Sequence, residues 1–380
     1  MNIKLSFLLR FLLVAGGIAG TATWVTGHAL AAPFAVYSPG WWGGWAWAGA
    51  LWVFPLGRTI FFRQRQVSGL QSLAFFLIGL GATNFLLLLL VKLAGLLLGL
   101  AGLGFGPWVG WAVLAMSLLL SAWGWQAAMG PASARHMTLH HAGLHPDLEG
   151  LRIVQLSDLH VSHLQGRAQV QRLVDQVAAL APDLIAITGD LVDGPLESLR
   201  HAVQPLAELR APLGVHYVTG NHEYFWGAEG WKDEFSGLGF EVLSNEHRLV
   251  RFKGAKLLVL GVDDPTAERF GGDGGPDLAR ALRGAPEADY TLFLAHQPGA
   301  YTLAEDAKAD LFLAGHTHGG QFYPFPPIVS LFHRYFSGLY RHSERLWVYV
   351  HPGSGFWGPP NRLGVPPEIA VLELARAGTG

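Results

Sequence analysis

The stretch Leu151-Arg152-Ile153-Val154-Gln155-Leu156-Ser157-Asp158-Leu159-His160 decides how this chain is read. A short aliphatic run has the length and composition of a buried strand, and it leads directly into a carboxylate and an imidazole. The same arrangement recurs downstream. Leu184–Thr188 leads into Gly189-Asp190-Leu191-Val192-Asp193, and Gly214–Thr219 into Gly220-Asn221-His222-Glu223. Tyr290–Leu294 is followed by His296, and Leu311–Ala314 by Gly315-His316-Thr317-His318. Between the first two runs, Val170, Leu173, Val174, Val177 and Leu180 repeat at helical spacing. Leu199, Val203, Leu206 and Leu209 do so in the next gap. Strands alternating with helices predict an α/β architecture. Lys256–Val262, Leu346–Val350 and Ile369–Leu374 are further strands, expected to form a second sheet packed on the first.

In open α/β sheets, ligands bind beyond the carboxyl ends of the strands. Here each such end presents Asp, Asn or His, often beside a Gly that lets backbone approach closely. Carboxylate, carboxamide and imidazole donors without thiolate suit Mn, Fe or Zn. The chain has no cysteine, which also removes disulfides and thiol nucleophiles. The candidate donors exceed what one catalytic ion with an open position needs. Two ions about 3.5–4 Å apart would share them, with a carboxylate bridging. Such a pair polarises phosphoryl oxygens and lowers the pKa of a bound water.

The ordered series Asp158-x-His160, Gly189-Asp190-x-x-Asp193, Gly220-Asn221-His222-Glu223, His296 and Gly315-His316-Thr317-His318 resembles the calcineurin-like metallophosphoesterase superfamily over about Leu151 to Leu374. The ending Gly358-Pro359-Pro360-Asn361-Arg362 with Pro367-Glu368 is similar to its bacterial membrane-anchored branch. The resemblance implies a four-layer αββα sandwich. It also implies that Asp158, His160 and His318 hold one divalent ion and Asn221, His296 and His316 the other, with Asp190 bridging. By the same resemblance, His222 stabilises the transition state or protonates the leaving oxygen. Asp193 is read as orienting its loop.

Upstream the composition changes. Most of residues 1–130 are apolar, and nearly all the Asp, Glu and His follow them. Leu5–Trp24, Trp41–Phe61, Leu70–Val91 and Trp108–Ala128 have the length of spanning helices, with Trp24, Trp41, Trp42, Trp108 and Trp125 near their ends. Four helices in an N-terminal transmembrane bundle are therefore expected. Lys4, Arg10, Arg58, Arg63 and Arg65 orient it with the N-terminus and the catalytic domain on the cytoplasmic side, as in a bacterial inner membrane. The first run with Ala29-Leu30-Ala31 also reads as a signal peptide, and that reading leaves the orientation unchanged. The expected domains are 1–130 transmembrane, 131–150 linker and 151–376 catalytic, with His140, His141 and His145 in the linker.

Phe322, Tyr323, Phe325, Ile328, Leu331, Phe332, Tyr335, Phe336, Leu339 and Tyr340 make an aromatic-rich stretch beside Arg334 and Arg341. It reads as a helix and loop packed into the domain, or as a rim meeting the bilayer or an acyl chain with Arg341 near a phosphate. Taken together, the chain reads as a membrane-anchored hydrolase of phosphodiester or pyrophosphate bonds, with a lipid-linked substrate and membrane lipids as partners. The alternative is a membrane transporter or signalling module with a regulatory phosphoesterase domain. A net charge of -2 and the lack of a basic stripe argue against nucleic acid as a partner.

Overall fold

The computed structural model describes Ala94, 108–270 and 274–377. Among these residues twelve strands occur: β1 (Ser133–His141), β2 (Arg152–Leu156), β3 (Leu184–Thr188), β4 (Val215–Val218), β5 (Glu241–Val242), β6 (Glu246–Phe252), β7 (Ala255–Gly261), β8 (Tyr290–Leu294), β9 (Leu311–Ala314), β10 (Gly338–Arg341), β11 (Trp347–Val350) and β12 (Glu368–Arg376). They form two six-stranded sheets, ordered β1-β12-β2-β3-β4-β5 and β10-β11-β9-β8-β7-β6. In the first, β2, β3, β4 and β5 run parallel and β12 runs antiparallel to β2. In the second, β7, β8, β9 and β11 run parallel, flanked by antiparallel β6 and β10.

Side chains alternate across each strand, and three cores result. One face of β2, β3 and β4 packs Val154, Leu156, Ile185 and Ile187 against the helices Arg167–Ala179, Leu196–Val203 and Ala228–Gly237. The opposite face packs Ile153, Leu184 and Ala186 against Leu257, Val259, Leu292 and Leu313 of the second sheet. The outer face of the second sheet buries Leu258, Phe293 and Phe312. The layers are therefore helix, sheet, sheet, helix, as the family resemblance implies. Buried Gln155 ties the two sheets together, since its Nε2 donates to Thr188 Oγ1 (2.9 Å) and Ala314 O (2.9 Å).

The division of strands differs from the sequence reading. β8 and β9 belong to the second sheet, whereas β12 inserts into the first between β1 and β2. Aliphatic composition marks a strand but carries no information about its neighbours. Where a linker was expected, Ser133–His141 is the edge strand β1, paired in parallel with β12 throughout its length. Its first four residues are exposed, which gives the segment its polar, linker-like composition.

The expected N-terminal bundle is corrected. Leu5–Trp24, Trp41–Phe61 and Leu70–Val91 lie outside the described residues. The fourth stretch is a helix, Trp108–Met129, yet no helix among the described residues is long and apolar enough to cross a membrane. Gly110, Ser117, Ser121, Gly124 and Gln126 interrupt its apolar run. Gly124 also packs against the segment Gly358–Leu363: its carbonyl accepts from Arg362 N (2.9 Å), and a Cβ there would overlap the Asn361 side chain.

Candidate metal centre

Parallel β2, β3 and β4 end on the same edge of the first sheet, and the loops that follow them carry Asp158, His160, Asp190, Asn221 and His222. His296, His316 and His318 come from the loops after β8 and β9. Two glycines allow the ends to converge. A Cβ on Gly315 would overlap the Ser157 and Asp158 side chains, and one on Gly220 would overlap Asp190. Both close approaches are therefore available only to glycine.

The loops are strained where the donors sit. Asp158, His160, Asp190, His316 and His318 all have positive φ, between 49° and 71°. This left-handed region is uncommon for residues with a Cβ and is held only when surrounding contacts impose it. Those contacts are present. Asp158 N donates to Gly189 O (3.0 Å), His160 N to Asp190 O (3.0 Å) and His316 N to both Asp158 carboxylate oxygens (3.0 Å each). Ser354 N and Gly355 N donate to Ser157 O (2.7 Å) and Asp158 O (3.1 Å).

Seven donors form two groups that could each hold a metal ion. In the first, His160 Nε2 lies 2.9 Å from His318 Nε2, which lies 3.4 Å from Asp158 Oδ1. In the second, His296 Nε2 lies 3.2 Å from Asp190 Oδ2, 3.2 Å from His316 Nδ1 and 3.2 Å from Asn221 Oδ1. His316 Nδ1 is 3.0 Å from the same Asn221 oxygen. Asp190 Oδ2 is also 3.8 Å from His160 Nε2, so one carboxylate faces both groups.

The donor chemistry fits cations. His296 Nδ1 donates to Thr188 O (2.7 Å), which leaves Nε2 to present its lone pair to the cluster. A carboxylate oxygen, a carboxamide oxygen and two imidazole nitrogens then converge, and such a set is stable only around positive charge. Electrostatics agree. Burial disfavours the imidazolium of His296, but Asp190 outweighs it and raises its pKa well above the usual histidine range. His316, half-buried and beside His296, is pushed down to about 4 by desolvation and by the neighbouring imidazole.

His222 lies at the start of the helix Asn221–Phe225, its backbone N–H on Asp190 Oδ1 (2.8 Å). Its Nδ1 meets Asp193 Oδ1 at 2.6 Å and its Nε2 faces Asp190 Oδ2 at 3.9 Å. Burial alone would depress this imidazole, but Asp190 and Asp193 together hold its pKa up at about 9. Asp193 thus meets a side chain as well as anchoring its own loop. The D-x-x-D spacing in 190–193 was the available signal for it.

Glu223 is a residue whose part the motif reading missed. Fully buried, its carboxylate accepts from Gly220 N (2.7 Å), Asp190 N (3.0 Å) and Leu191 N (2.7 Å), and so clamps the second and third loops together. Arg341, by contrast, is not brought to the centre. Its guanidinium donates to His140 O (3.2 Å) and Ser343 O (2.9 Å) and covers the Trp347 ring. His140 pairs with Ala375, beyond the β12 residue Glu373 that faces Arg152 at the start of β2; Arg341 therefore lies at the opposite end of the strands from the centre. Tyr224 and His351 are buried packing residues and His163 is exposed.

Comparison with known proteins agrees with this geometry. The calcineurin-like phosphoesterase profile matches residues 151–320. A zebrafish transmembrane protein with metallophosphoesterase domain is 37% identical over 273 residues, covering 70% of this chain and 62% of the relative. The bovine protein of the same name is 38% identical over 272 residues, covering 69% and 61%. This chain thus spans about three fifths of the length of those relatives. A metallophosphoesterase of Aquifex aeolicus is 32% identical over 230 residues, covering 60% of this chain and 86% of the relative.

Proposed function

The chain belongs to the calcineurin-like metallophosphoesterases, and on that premise we propose that it hydrolyses phosphodiester or pyrophosphate bonds at a centre of two divalent ions. The observation that carries this reading is Asp190: its Oδ2 faces His296 Nε2 at 3.2 Å and His160 Nε2 at 3.8 Å. A carboxylate in that position would serve two ions, a first that Asp158, His160 and His318 would hold and a second that Asn221, His296 and His316 would hold. Mn, Fe and Zn all suit the donor set. Bound there, the ions supply charge neutralisation at the phosphoryl oxygens and acidify water.

The chain's own groups complete the chemistry. The Asp190 and Asp193 carboxylates favour the protonated imidazole of His222, with Asp193 on Nδ1. Its Nε2 is then the donor that hydrogen-bonds the phosphoryl group and delivers a proton to the departing oxygen. Glu223 keeps the Asp190 and Asn221 loops in register, so that the bridging carboxylate does not reorganise during turnover. The names of the zebrafish and bovine relatives support a place at a membrane for this chain, where lipid-linked phosphate esters are substrates within reach.

The test is hydrolysis of bis-p-nitrophenyl phosphate and p-nitrophenyl phosphate by the full chain, metal-stripped and then supplied with Mn, Zn or Fe. Metal-restored turnover that Asn221→Ala and His222→Ala each abolish is the expected result. A protein that binds no divalent ion would overturn the reading.

A further inference from the structure

The compact unit formed by Ala127–Trp357 and Gly364–Gly380 leaves few large apolar side chains exposed, and those described lie in the loops around the metal centre. Tyr323, Phe325, Ile328, Leu331 and Phe332 come from the segment after the last metal-donor loop. Leu331 and Phe332 are 81% and 79% exposed, values otherwise typical of charged side chains. Phe225, Phe270 and Trp357 are the others. The His222 ring lies 5.1 Å from Phe225 and 6.1 Å from Trp357, centroid to centroid, and Phe225 lies 5.5 Å from Phe270.

These side chains are anchored to the centre from two sides. Trp357 is held by reciprocal bonds with Gln321: Gln321 Nε2 donates to Trp357 O and Trp357 N to Gln321 Oε1, each at 2.7 Å. Thr317 Oγ1 donates to Phe336 O (2.6 Å), and the His333 ring lies 6.2 Å from that of His316. The apolar side chains therefore form a rim fixed to the same loops that carry His316, His318 and His222. Scattered apolar residues need no explanation, but a concentration of them at one site marks an interaction surface.

Charge indicates what covers it. Residues 322–336 contain no Asp or Glu and carry Arg334. The Arg334 guanidinium is exposed and stacks over Tyr301 (5.3 Å) and Tyr335 (5.6 Å), which fixes a positive charge two residues from Phe332. Apolar side chains that can enter the acyl boundary, with arginine beside them and no acid in the segment, match an anionic lipid surface. We propose that this rim seats on such a surface, Leu331 and Phe332 entering it, so that the metal centre takes its phosphate ester directly from the lipid face. The identity of the ester rests on the phosphoesterase reading; the docking itself does not.

Because the chain lacks cysteine, Phe332→Cys creates a single attachment point for a nitrobenzoxadiazole dye. Glu287→Cys, an exposed position just before β8 and at the opposite end of that strand from His296, is the control. The full chain is reconstituted in vesicles of phosphatidylcholine and phosphatidylglycerol that contain doxyl-labelled lipid. Docking predicts several-fold stronger quenching of the dye at 332 than at 287. It also predicts that L331S/F332S lowers hydrolysis of a vesicle-held lipid p-nitrophenyl phosphodiester several-fold and leaves soluble bis-p-nitrophenyl phosphate turnover unchanged. Equal quenching at the two positions, or equal loss on both substrates, would overturn the proposal. A failure of the phosphoesterase reading looks different: no metal-dependent turnover of the soluble diester, whatever the quenching.

Discussion

His222 and Asp193, 29 residues apart in the chain, meet at 2.6 Å between Nδ1 and Oδ1, and this contact fixes which imidazole nitrogen faces the metal donors. Asp193 is a positioning residue, acting on substrate only through His222. Asp193→Asn is expected to lower kcat by about 10²-fold, within the usual range for general acid catalysis, while metal content stays at the wild-type level. Aryl phosphodiesters with poor leaving groups should lose more than p-nitrophenyl esters, since they depend more on the donated proton. Equal losses across the series would assign Asp193 a purely structural part.

Removal of the ions should be visible in stability as well as in turnover. Asp190, Asn221, His296 and His316 bring a carboxylate oxygen, a carboxamide oxygen and two imidazole nitrogens to contacts of 3.0–3.2 Å, a set that a divalent ion balances more fully than a proton on His296 does. Chelation is therefore expected to abolish activity and lower the unfolding temperature. Adding Mn at about 100 times its Kd should restore roughly 2.7 kcal/mol. Thermal scans of stripped and reloaded protein measure this directly.

Gly220 has ordinary extended backbone angles, φ -104° and ψ -173°, so its glycine is required by space and not by conformation. A methyl group there overlaps the Asp190 carboxyl and backbone. Gly220→Ala should displace the bridging carboxylate, costing about 1–3 kcal/mol of stability by overpacking and more than about tenfold in turnover. Circular dichroism and metal analysis separate a moved site from an unfolded chain.

Away from the centre, His141 at the end of β1 bonds Tyr290 (2.8 Å). Burial, assisted by Arg341, depresses its pKa to about 4. The folded state thus binds this proton less readily than the unfolded chain, whose histidine titrates near 6.5. The stabilising effect of a neutral His141 is complete above about pH 6.5 and is lost as pH falls toward 4. Unfolding free energies from urea titrations at pH 7 and pH 5 should differ by on the order of 1–2 kcal/mol, discounted for partial solvent access. His141→Gln should reduce that difference.

Much of the catalytic unit was legible in the chain because the relevant signals are local. β3, β8 and β9 fall on the aliphatic runs that predict them, and β2 and β4 fall within theirs. Edge strands were less visible. β6, Glu246–Phe252, is largely half-buried and mixes charged with aliphatic residues, because one side of an edge strand remains in water. The same is true of β1. Hydropathy gave an apolar reading of 108–128, but Gly124 within it packs against Asn361 and Ser117 and Ser121 are buried, and composition does not distinguish residues that pack from residues that tolerate lipid.

By itself the sequence determined the donor types and their place at strand ends, since an aliphatic run followed by Asp, Asn or His is a local pattern. Tertiary structure decided which donors act together. Asp190 comes from the first sheet and His296 from the second, and their 3.2 Å approach depends on the core between the sheets, where Ile153, Leu184 and Ala186 meet Leu257, Leu292 and Leu313. The same packing joins Asp193 to His222, turns Arg341 away from the centre and gathers the exposed aromatic side chains around it. Burial of apolar surface is non-directional and summed over the whole core. No short window of sequence therefore specifies the distances it imposes.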